Sequence, residues 1–445
     1  MVGAGGPHRS QVLGVFVLAL VWLGWGVQET TLASGYTDPV RQIRTQDEAL
    51  YSSIAIGMAE RNEWLTPRFL GRLALVKPIL AFLPTAVSVE LFGVSNWSLR
   101  LPSLLLGALA LTLAWRMAGW GAYFLLGANY TFFTLARANM TDVPLLACTM
   151  AAIYWQAGGW PWAAAAILWK SVAGLPALLG QRGQWRWVAL AVVPWHLYQL
   201  ATQTEWYWKE HILDEHLHWG LAAAAQEPAW VFYPTRAWES DPWLAVAALP
   251  MLVWRRDAWL GLSIGLLFLF GYRNPTYLLP VFAATAVAVG RELQGRWAWL
   301  PLLFLLGRSS ALHEPAVPVP SYAAGMAYAA LHRTPGLLAY GLADEFVLTT
   351  LPLTRVQYVL AGKEPPAHTL DFLARGIVLF GDEYRATRAP EGTVFWVRDA
   401  AERDRLFAAA ADHDLLLPVG MESPSHRPQA AVGGFRIWLS HQPLT

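Results

Sequence analysis

Charge-poor apolar segments recur along the first 307 residues of this chain, separated by short polar connections. Of its 445 residues, 55% are hydrophobic and 14% are charged, whereas about 25% of the residues of an average soluble domain are charged. A chain with so few charges has little material for a water-facing surface. Its 25 tryptophans fit this view, because the indole ring favours the interface between membrane and water. The sequence therefore predicts an α-helical polytopic membrane protein.

Roughly 10–11 segments are apolar enough to be considered as membrane helices, although several are shorter than the ~17–25 residues that cross about 30 Å of hydrocarbon. The first segment, residues 11–33, contains Trp22 and Trp25 and has no clear small-residue cleavage site, so we interpret it as a retained helix and not as a signal peptide. The other segments are residues 78–92, 101–117, 122–136, 143–156, 162–180, 187–201, 242–254, 258–271, 277–290 and 297–307.

Two hydrophilic stretches interrupt the apolar region, and a third region follows it. Residues 34–77 form the first loop, in which the spacing of apolar residues predicts a helix over 47–61. Residues 204–241 form a second loop, rich in His, Trp and acids. Residues 308–445 contain β-like runs at 376–380, 393–397 and 435–439 and a helical pattern over 402–411. The sequence therefore divides into a membrane domain, 1–307, and a small soluble C-terminal α/β domain, 308–445.

Five ionisable residues lie close to the apolar segments or within them, where charge is costly and by default indicates function. They are Asp47, Glu48, Lys77, Asp142 and Lys170. Each has an ordinary alternative explanation. Asp47 can simply be an acid in the first turn of a helix, and Asp142 can be only an N-cap. Either lysine can extend its ammonium group to water along an apolar surface. Lys170 fits this alternative least well, since its neighbours on both sides are apolar.

Lys77 directly precedes Pro78, a residue that is favourable at the start of a helix. An ammonium group beside the free N–H groups of a helix start suits a phosphate at the bilayer surface, and a carboxylate opposite it could accept a proton from a hydroxyl. This combination suits group transfer from a lipid phosphate. The net charge of +1 shows no signature of nucleic-acid binding, and the single cysteine, Cys148, excludes a disulfide framework within the chain.

Several motifs in the first loop and the segments after it resemble those of bacterial GT-C glycosyltransferases that use lipid-linked sugars, of the protein mannosyltransferase and lipid A aminoarabinose transferase type. The likeness covers roughly residues 12–300 and excludes the C-terminal domain. In the N-terminal part the matching residues are Asp47-Glu48 with Tyr51, Asn62-Glu63-Trp64, Lys77-Pro78, Phe92-Gly93 and Arg100-Leu101-Pro102. More thinly, further matches are Arg137 with Asp142, Lys170 in a segment that reads Leu-Thr-Lys-Gly in the family, Pro194-Trp195, Glu215-His216, Tyr233-Pro234 and Tyr277 with Pro280.

The resemblance implies an inverting transferase with a polyprenyl-phosphate sugar as donor and a hydroxyl of a lipid, glycan or protein as acceptor. It implies a site on the external face of the bacterial plasma membrane and leaves open a divalent cation held by Asp47 and Asp142. The implied roles are general base for Asp47, shared with Glu48, orientation of a substrate for Asp142, and donor phosphate binding for Lys77, Lys170, Tyr277 and Tyr51. Glu215, His216 and Tyr233 are the second-loop candidates.

Three departures from the aminoarabinose transferase pattern leave the sugar undetermined. Leu50 stands where an Arg is common, Val76 replaces the Glu before Lys-Pro, and Trp219 replaces the Arg after Glu-His. A transporter or flippase of lipid-linked sugars and a non-catalytic lipid-binding relative remain as alternatives. The apolar segments also pose a topological problem, because residues 78–136 contain three of them while the resemblance requires the first loop and Asp142 to share one face.

Overall fold

The computed structural model confirms a predominantly helical chain with a small sheet near its C-terminus. It describes residues 9–27, 46–69, 72–181, 183–218, 228–269, 273–293, 297, 299–312, 328, 331, 336–340, 356–361, 377–379, 394–397, 399–423, 426–432 and 434–440. The β-like runs predicted from the sequence are strands Ile377–Leu379, Val394–Val397 and Phe435–Leu439, and the helical pattern after them is the helix Ala400–Ala409.

The helices of the N-terminal region are short on average. They are α1 (Arg9–Gly24), α2 (Gln46–Arg61), α3 (Leu83–Phe92), α4 (Asn96–Gly127), α5 (Tyr130–Ala136), α6 (Asp142–Tyr154), α7 (Trp160–Lys170), α8 (Trp185–Thr202), α9 (Thr204–Trp206), α10 (Ala229–Ser240), α11 (Pro242–Arg255), α12 (Ala258–Leu269), α13 (Leu279–Glu292) and α14 (Leu300–Leu312). Turns of 3₁₀-helix cover Ile79–Ala81, Gln156–Gly158, Ser171–Leu178 and Pro275–Leu278, and a π-helical segment, Tyr207–His218, continues α9. Much of the predicted second loop is therefore helical.

Helix α4 is the longest of the described helices and the one that is long and apolar enough to cross a membrane. It begins at a capping box in which Ser95 and Ser98 satisfy each other's backbone N–H groups. At Gly119 the backbone adopts φ 77° and ψ −169°, which breaks the helix axis and is accessible mainly to glycine. This break coincides with the gap between the predicted segments 101–117 and 122–136. The other apolar helices are 10–17 residues long.

Small residues let α4 and α13 approach closely. A Cβ atom added to Gly290 of α13 would lie 2.6 Å from the backbone nitrogen of Ala122 in α4, closer than any van der Waals contact allows. The same helix α4 also packs on α1 and α6, so it is the centre of the helical core. Close backbone approach through Gly and Ala is typical of helix packing in a membrane.

The C-terminal sheet comprises β3 (Leu337–Tyr340), β4 (Val356–Ala361), β5 (Ile377–Leu379), β6 (Val394–Val397), β7 (Asp414–Pro418), β8 (Arg427–Val432) and β9 (Phe435–Leu439), numbered after the short hairpin of β1 (Arg68–Phe69) and β2 (Arg72–Leu73). Its spatial order is β5-β6-β4-β3-β7-β9-β8, parallel from β5 to β7 and antiparallel beyond. Helix α15 (Ala400–Ala409) begins at an N-cap formed by Asp399. Helix α14 spans positions 307 and 308, where the sequence predicts a domain boundary. The boundary itself stays a prediction.

Candidate active site

Asp142 and Lys170 form an ion pair between two helix ends. Asp142 is the first residue of α6 and Lys170 is the last residue of α7, and Lys170 Nζ lies 2.7 Å from Asp142 Oδ1. Each charge stands at the helix end whose dipole stabilises it. The ammonium group also lies 5.1 Å from the ring centroid of Tyr277, within range of a cation–π interaction. Three predicted site residues from distant parts of the sequence are therefore brought together.

Lys77 and Glu215 form a second ion pair, which links the first loop to the π-helical segment. Their side chains are 14% and 25% exposed, so solvent reaches this pair. Pro78 is the N-cap of the 3₁₀ turn Ile79–Ala81, which leads directly into α3. Lys77 thus directly precedes a helix start, as the sequence predicts. The part that this start plays in binding a phosphate stays a prediction, and the Lys77 ammonium itself also suits an anion.

The π-helical segment also holds the backbone just before Lys77. Glu210 Oε2 accepts a hydrogen bond of 2.8 Å from the Leu75 N–H, and His211 Nδ1–H donates one of 2.9 Å to the Leu75 carbonyl. His211 Nε2 lies 3.5 Å from Ser171 Oγ, and Ser171 directly follows Lys170. His211 thus connects the two segments that carry the lysines. Sequence reasoning missed Glu210 and His211, since their only signal was an acid-histidine pair in a segment rich in both.

Burial determines the protonation state of His211. It lowers the pKa of His211 to about 3, with smaller contributions from His216 and Lys77. The neutral ring must carry its proton on Nδ1, which faces a carbonyl, so Nε2 is the acceptor for the Ser171 hydroxyl. Burial also lowers the pKa of His216, whose Nδ1–H donates to the His211 carbonyl. His216 therefore contacts the residue that links the segments of the two lysines.

Ser171 occupies a strained backbone conformation, with φ 46° and ψ −126°. Positive φ values favour glycine, and the family segment to which Lys170 was matched has Gly at this position. Strain in a non-glycine residue is often found at functional sites. Here it ends α7 and turns the chain immediately after Lys170.

Glu48 and Arg100 form a bidentate ion pair deep in the protein. The two contacts measure 2.8 and 3.2 Å, and the side chains are 1% and 2% exposed. Glu48 Oε1 also accepts a hydrogen bond of 3.0 Å from the Asn139 N–H, while Arg100 donates one of 2.8 Å to the Val27 carbonyl. A carboxylate so enclosed is poorly placed to take a proton from a substrate, which argues against the predicted share of Glu48 in the base role.

Asp47 precedes Glu48 on α2, but its side chain lies outside the described residues. Tyr51 is buried, with its ring edge-on to Phe82 at 5.8 Å. Tyr51 thereby contacts the chain that follows Lys77. Tyr51 itself packs in the hydrophobic core.

The remaining predicted residues have simpler surroundings. Tyr233 is buried in the core beside Phe232, with ring centroids 5.1 Å apart. Of the departures, Leu50 is buried and Trp219 lies outside the described residues. A divalent cation fits poorly at Asp142, because the Lys170 ammonium already lies 2.7 Å from the carboxylate. Within the described ranges, no group of three or more His, Cys, Asp and Glu side chains could hold a metal ion.

Solved structures share this fold. ArnT from Cupriavidus metallidurans bound to undecaprenyl phosphate superimposes with a TM-score of 0.69 and 16% identity, covering 97% of this chain and 98% of that one. Its apo state gives a TM-score of 0.64 and 17% identity, covering 96% and 97%. Such coverage includes the C-terminal region, so the likeness extends further than the predicted residues 12–300. The chain therefore shares the fold of ArnT, and the predicted resemblance to transferases of the aminoarabinose type is confirmed.

Within this class the sequence similarity is to undecaprenyl phosphate-alpha-4-amino-4-deoxy-L-arabinose arabinosyl transferases. The protein of Pseudomonas aeruginosa strain LESB58 is 27% identical over 311 residues, 56% of this chain and 55% of the relative. That of Enterobacter sp. strain 638 is 25% identical over 316 residues, 57% and 56% of the two chains. The chain thus spans about half the length of these curated relatives. No family model matches it. The comparisons favour the arabinosyl branch of the predicted resemblance over the mannosyl branch.

Proposed function

We propose that this protein is an inverting glycosyltransferase that moves a sugar from a polyprenyl-phosphate donor to a hydroxyl acceptor. The observation that carries the proposal is that His211 contacts both Leu75, two residues before Lys77, and Ser171, the residue after Lys170, within a fold shared with ArnT. Two ammonium groups at one site suit a phosphate that gains negative charge as it leaves. The sugar proposed first is 4-amino-4-deoxy-L-arabinose, because the relatives' names specify it.

In the proposed reaction Asp47 accepts the proton of the acceptor hydroxyl as its oxygen attacks the anomeric carbon. The bond from that carbon to the phosphate oxygen breaks on the opposite face, and polyprenyl phosphate leaves with the bonding electrons. Lys77 and Lys170 stabilise the charge that develops on the leaving oxygen, which is usually the largest contribution to such catalysis. Lys170 is held in place by two contacts, one with the Tyr277 ring and one with the Asp142 carboxylate.

The proposed site lies at one end of the helical core, on the external face of the plasma membrane. Arg100 near the start of α4 and Asn139 after α5 both bind Glu48, so the chain leaves this end and returns to it between them. The break at Gly119 separates the outward and return crossings. Helix α3, with its 10 residues, extends only about 15 Å, so we place it at the interface. With α3 at the interface, residues 78–136 cross the membrane twice, so the first loop and Asp142 share one face.

Incubation of the purified full chain with undecaprenyl-phosphate sugars, including the aminoarabinose donor, tests the proposal. Lipid, glycan and peptide acceptors are supplied separately, and the glycosylated product is measured by mass spectrometry. We expect transfer with the wild type, and a loss of about 10³-fold or more in Asp47→Asn. A transporter would move donor across a vesicle membrane without cleaving it. Undiminished transfer by Asp47→Asn would refute the assignment of the base.

A further inference from the structure

Both ammonium groups of the candidate site are paired with carboxylates of the chain itself. Lys77 meets Glu215, and Lys170 meets Asp142. Carboxylate and phosphate oxygens accept the same charge-assisted hydrogen bonds from an ammonium group. A phosphate arriving at either lysine therefore competes with a resident anion for the N–H donors.

The two resident anions differ in how firmly they are held. Asp142 stands in the first turn of α6, where the helix dipole favours a negative charge, and its side chain is 7% exposed. Glu215 is 25% exposed, lies on the π-helical segment and has a longer side chain with more rotamers. Water can solvate the Glu215 carboxylate when it moves away, whereas Asp142 would lose its partner inside the protein. Glu215 is the anion that is easier to displace.

Displacement of Glu215 leaves the backbone before Lys77 in place. The Leu75 N–H and carbonyl are bound by Glu210 and His211, and neither bond uses Glu215. The position of Lys77 is thus maintained by contacts that are separate from its ion pair. A phosphate could replace the Glu215 carboxylate without reorganising the first loop.

We propose that Glu215 is an internal counter-anion that the donor phosphate displaces from Lys77 and that returns to expel the lipid phosphate product. This inference rests on the proposed function and adds a residue that sets donor affinity and product release. A phosphodiester donor carries one negative charge, whereas the monoester product carries up to two. Lys77 without its competing carboxylate would retain that product strongly. The returning Glu215 carboxylate weakens the attraction between Lys77 and the product phosphate.

Binding of undecaprenyl phosphate to the purified full chain in nanodiscs tests this role. We expect Glu215→Gln to lower the Kd by about tenfold, because the amide keeps the shape and removes the competing charge. Asp214→Asn removes the same charge one position earlier and should leave the Kd within about twofold. Lys77→Gln added to Glu215→Gln should abolish the gain. In transfer assays Glu215→Gln should lower KM and kcat together, since product release becomes slower.

An unchanged or higher Kd in Glu215→Gln overturns the inference. Glu215→Asp, whose shorter side chain weakens the ion pair, provides a second variant if the amide fails to fold, and its Kd should be intermediate. Failure of the proposed function is distinguishable. Wild type that binds undecaprenyl phosphate more weakly than Glu215→Gln but transfers no sugar refutes the transferase and supports the counter-anion. Normal transfer with equal Kd values refutes the counter-anion alone. If neither the wild type nor Glu215→Gln binds undecaprenyl phosphate, the counter-anion inference is refuted too.

Discussion

Three ion pairs of the N-terminal region join an acid to a basic residue but differ in how deeply they are buried. One is the arginine pair, Glu48–Arg100, and the others are the lysine pairs, Lys77–Glu215 and Lys170–Asp142. The arginine pair is bidentate, almost completely buried, and further bound to backbone groups of Val27 and Asn139. The side chains of the lysine pairs are 7–25% exposed. The lysine pairs have more solvent access, and Lys77–Glu215 has the most, so an incoming anion could exchange with the Glu215 carboxylate.

This difference distinguishes an ion pair that stabilises the fold from ion pairs suited to substrate binding, although the residues look alike in the sequence. Removing one partner of a buried pair leaves a charge without compensation, which is strongly destabilising. Pairs with solvent access cost less to break, because water replaces the partner. The arginine pair should therefore determine whether the site forms, and the lysine pairs how it works.

The largest expected effect is on stability, from Glu48→Ala. We expect the free energy of unfolding to fall by about 3–5 kcal/mol, because Arg100 remains buried without its partner. Thermal unfolding of the purified protein in detergent measures this loss. Glu63→Ala provides the matched control, since the Glu63–Arg68 pair is 40% and 31% exposed and should contribute about 0–1 kcal/mol. If Glu48→Ala melts like the wild type and loses only transfer activity, Glu48 takes part in the reaction.

The second prediction concerns Lys170→Met, which removes an ammonium group from the leaving phosphate. We expect kcat to fall by about 10²–10³-fold, the usual cost of one stabilising group for developing charge. The double variant Lys170→Met with Asp142→Asn should regain thermal stability over Lys170→Met, because no buried carboxylate is left without a partner. It should not regain activity. Activity restored in the double variant would show that Asp142 had merely been inhibitory without its lysine.

The third prediction concerns the pH dependence of stability at His211. Its folded pKa, about 3, is lower than the unfolded value of about 6.5, so the folded state binds fewer protons between these values. The contribution of His211 to stability is present above pH 6.5 and is lost as the pH falls from about 6.5 toward 3. His211→Asn keeps an N–H for the Leu75 carbonyl and removes the titration. Its melting temperature should fall less between pH 7 and 5 than that of the wild type; equal slopes would contradict the buried neutral ring.

The smallest effect is expected for Ser171→Gly. Glycine relieves the positive φ of this residue, which offsets its greater freedom in the unfolded chain, so we expect a gain of about 1 kcal/mol in the free energy of unfolding. Ser171→Ala is the control, since it also loses the hydroxyl near His211 but keeps the strain, and it should not gain stability. A loss of stability in Ser171→Gly alone would mean that the surrounding structure imposes no strain on Ser171.

The sequence predicted the helical class, the C-terminal strands and several of the residues that meet at the candidate site. Apolar runs and the alternation of β-branched residues depend on local periodicity, so they can be read without tertiary contacts. The motif around Lys77-Pro78 was recognisable because its spacing is local too. The helix over 47–61 agrees with α2 nearly to the residue.

The environment of each charge could not be predicted in the same way. Asp47-Glu48 is a continuous acidic pair in the sequence, and only the approach of Arg100 and Asn139 distinguishes the second acid. Glu210 and His211 became important because the π-helical segment packs on Leu75, more than a hundred residues earlier.

Composition and spacing by themselves determined that this chain is helical, rich in apolar segments and furnished with acids and lysines suited to phosphate chemistry. The tertiary structure alone decided which acid meets which cation and how much water each pair retains. The reason is physical: the free energy of a charge depends on its burial and its partners. Those partners come from segments far apart in the chain.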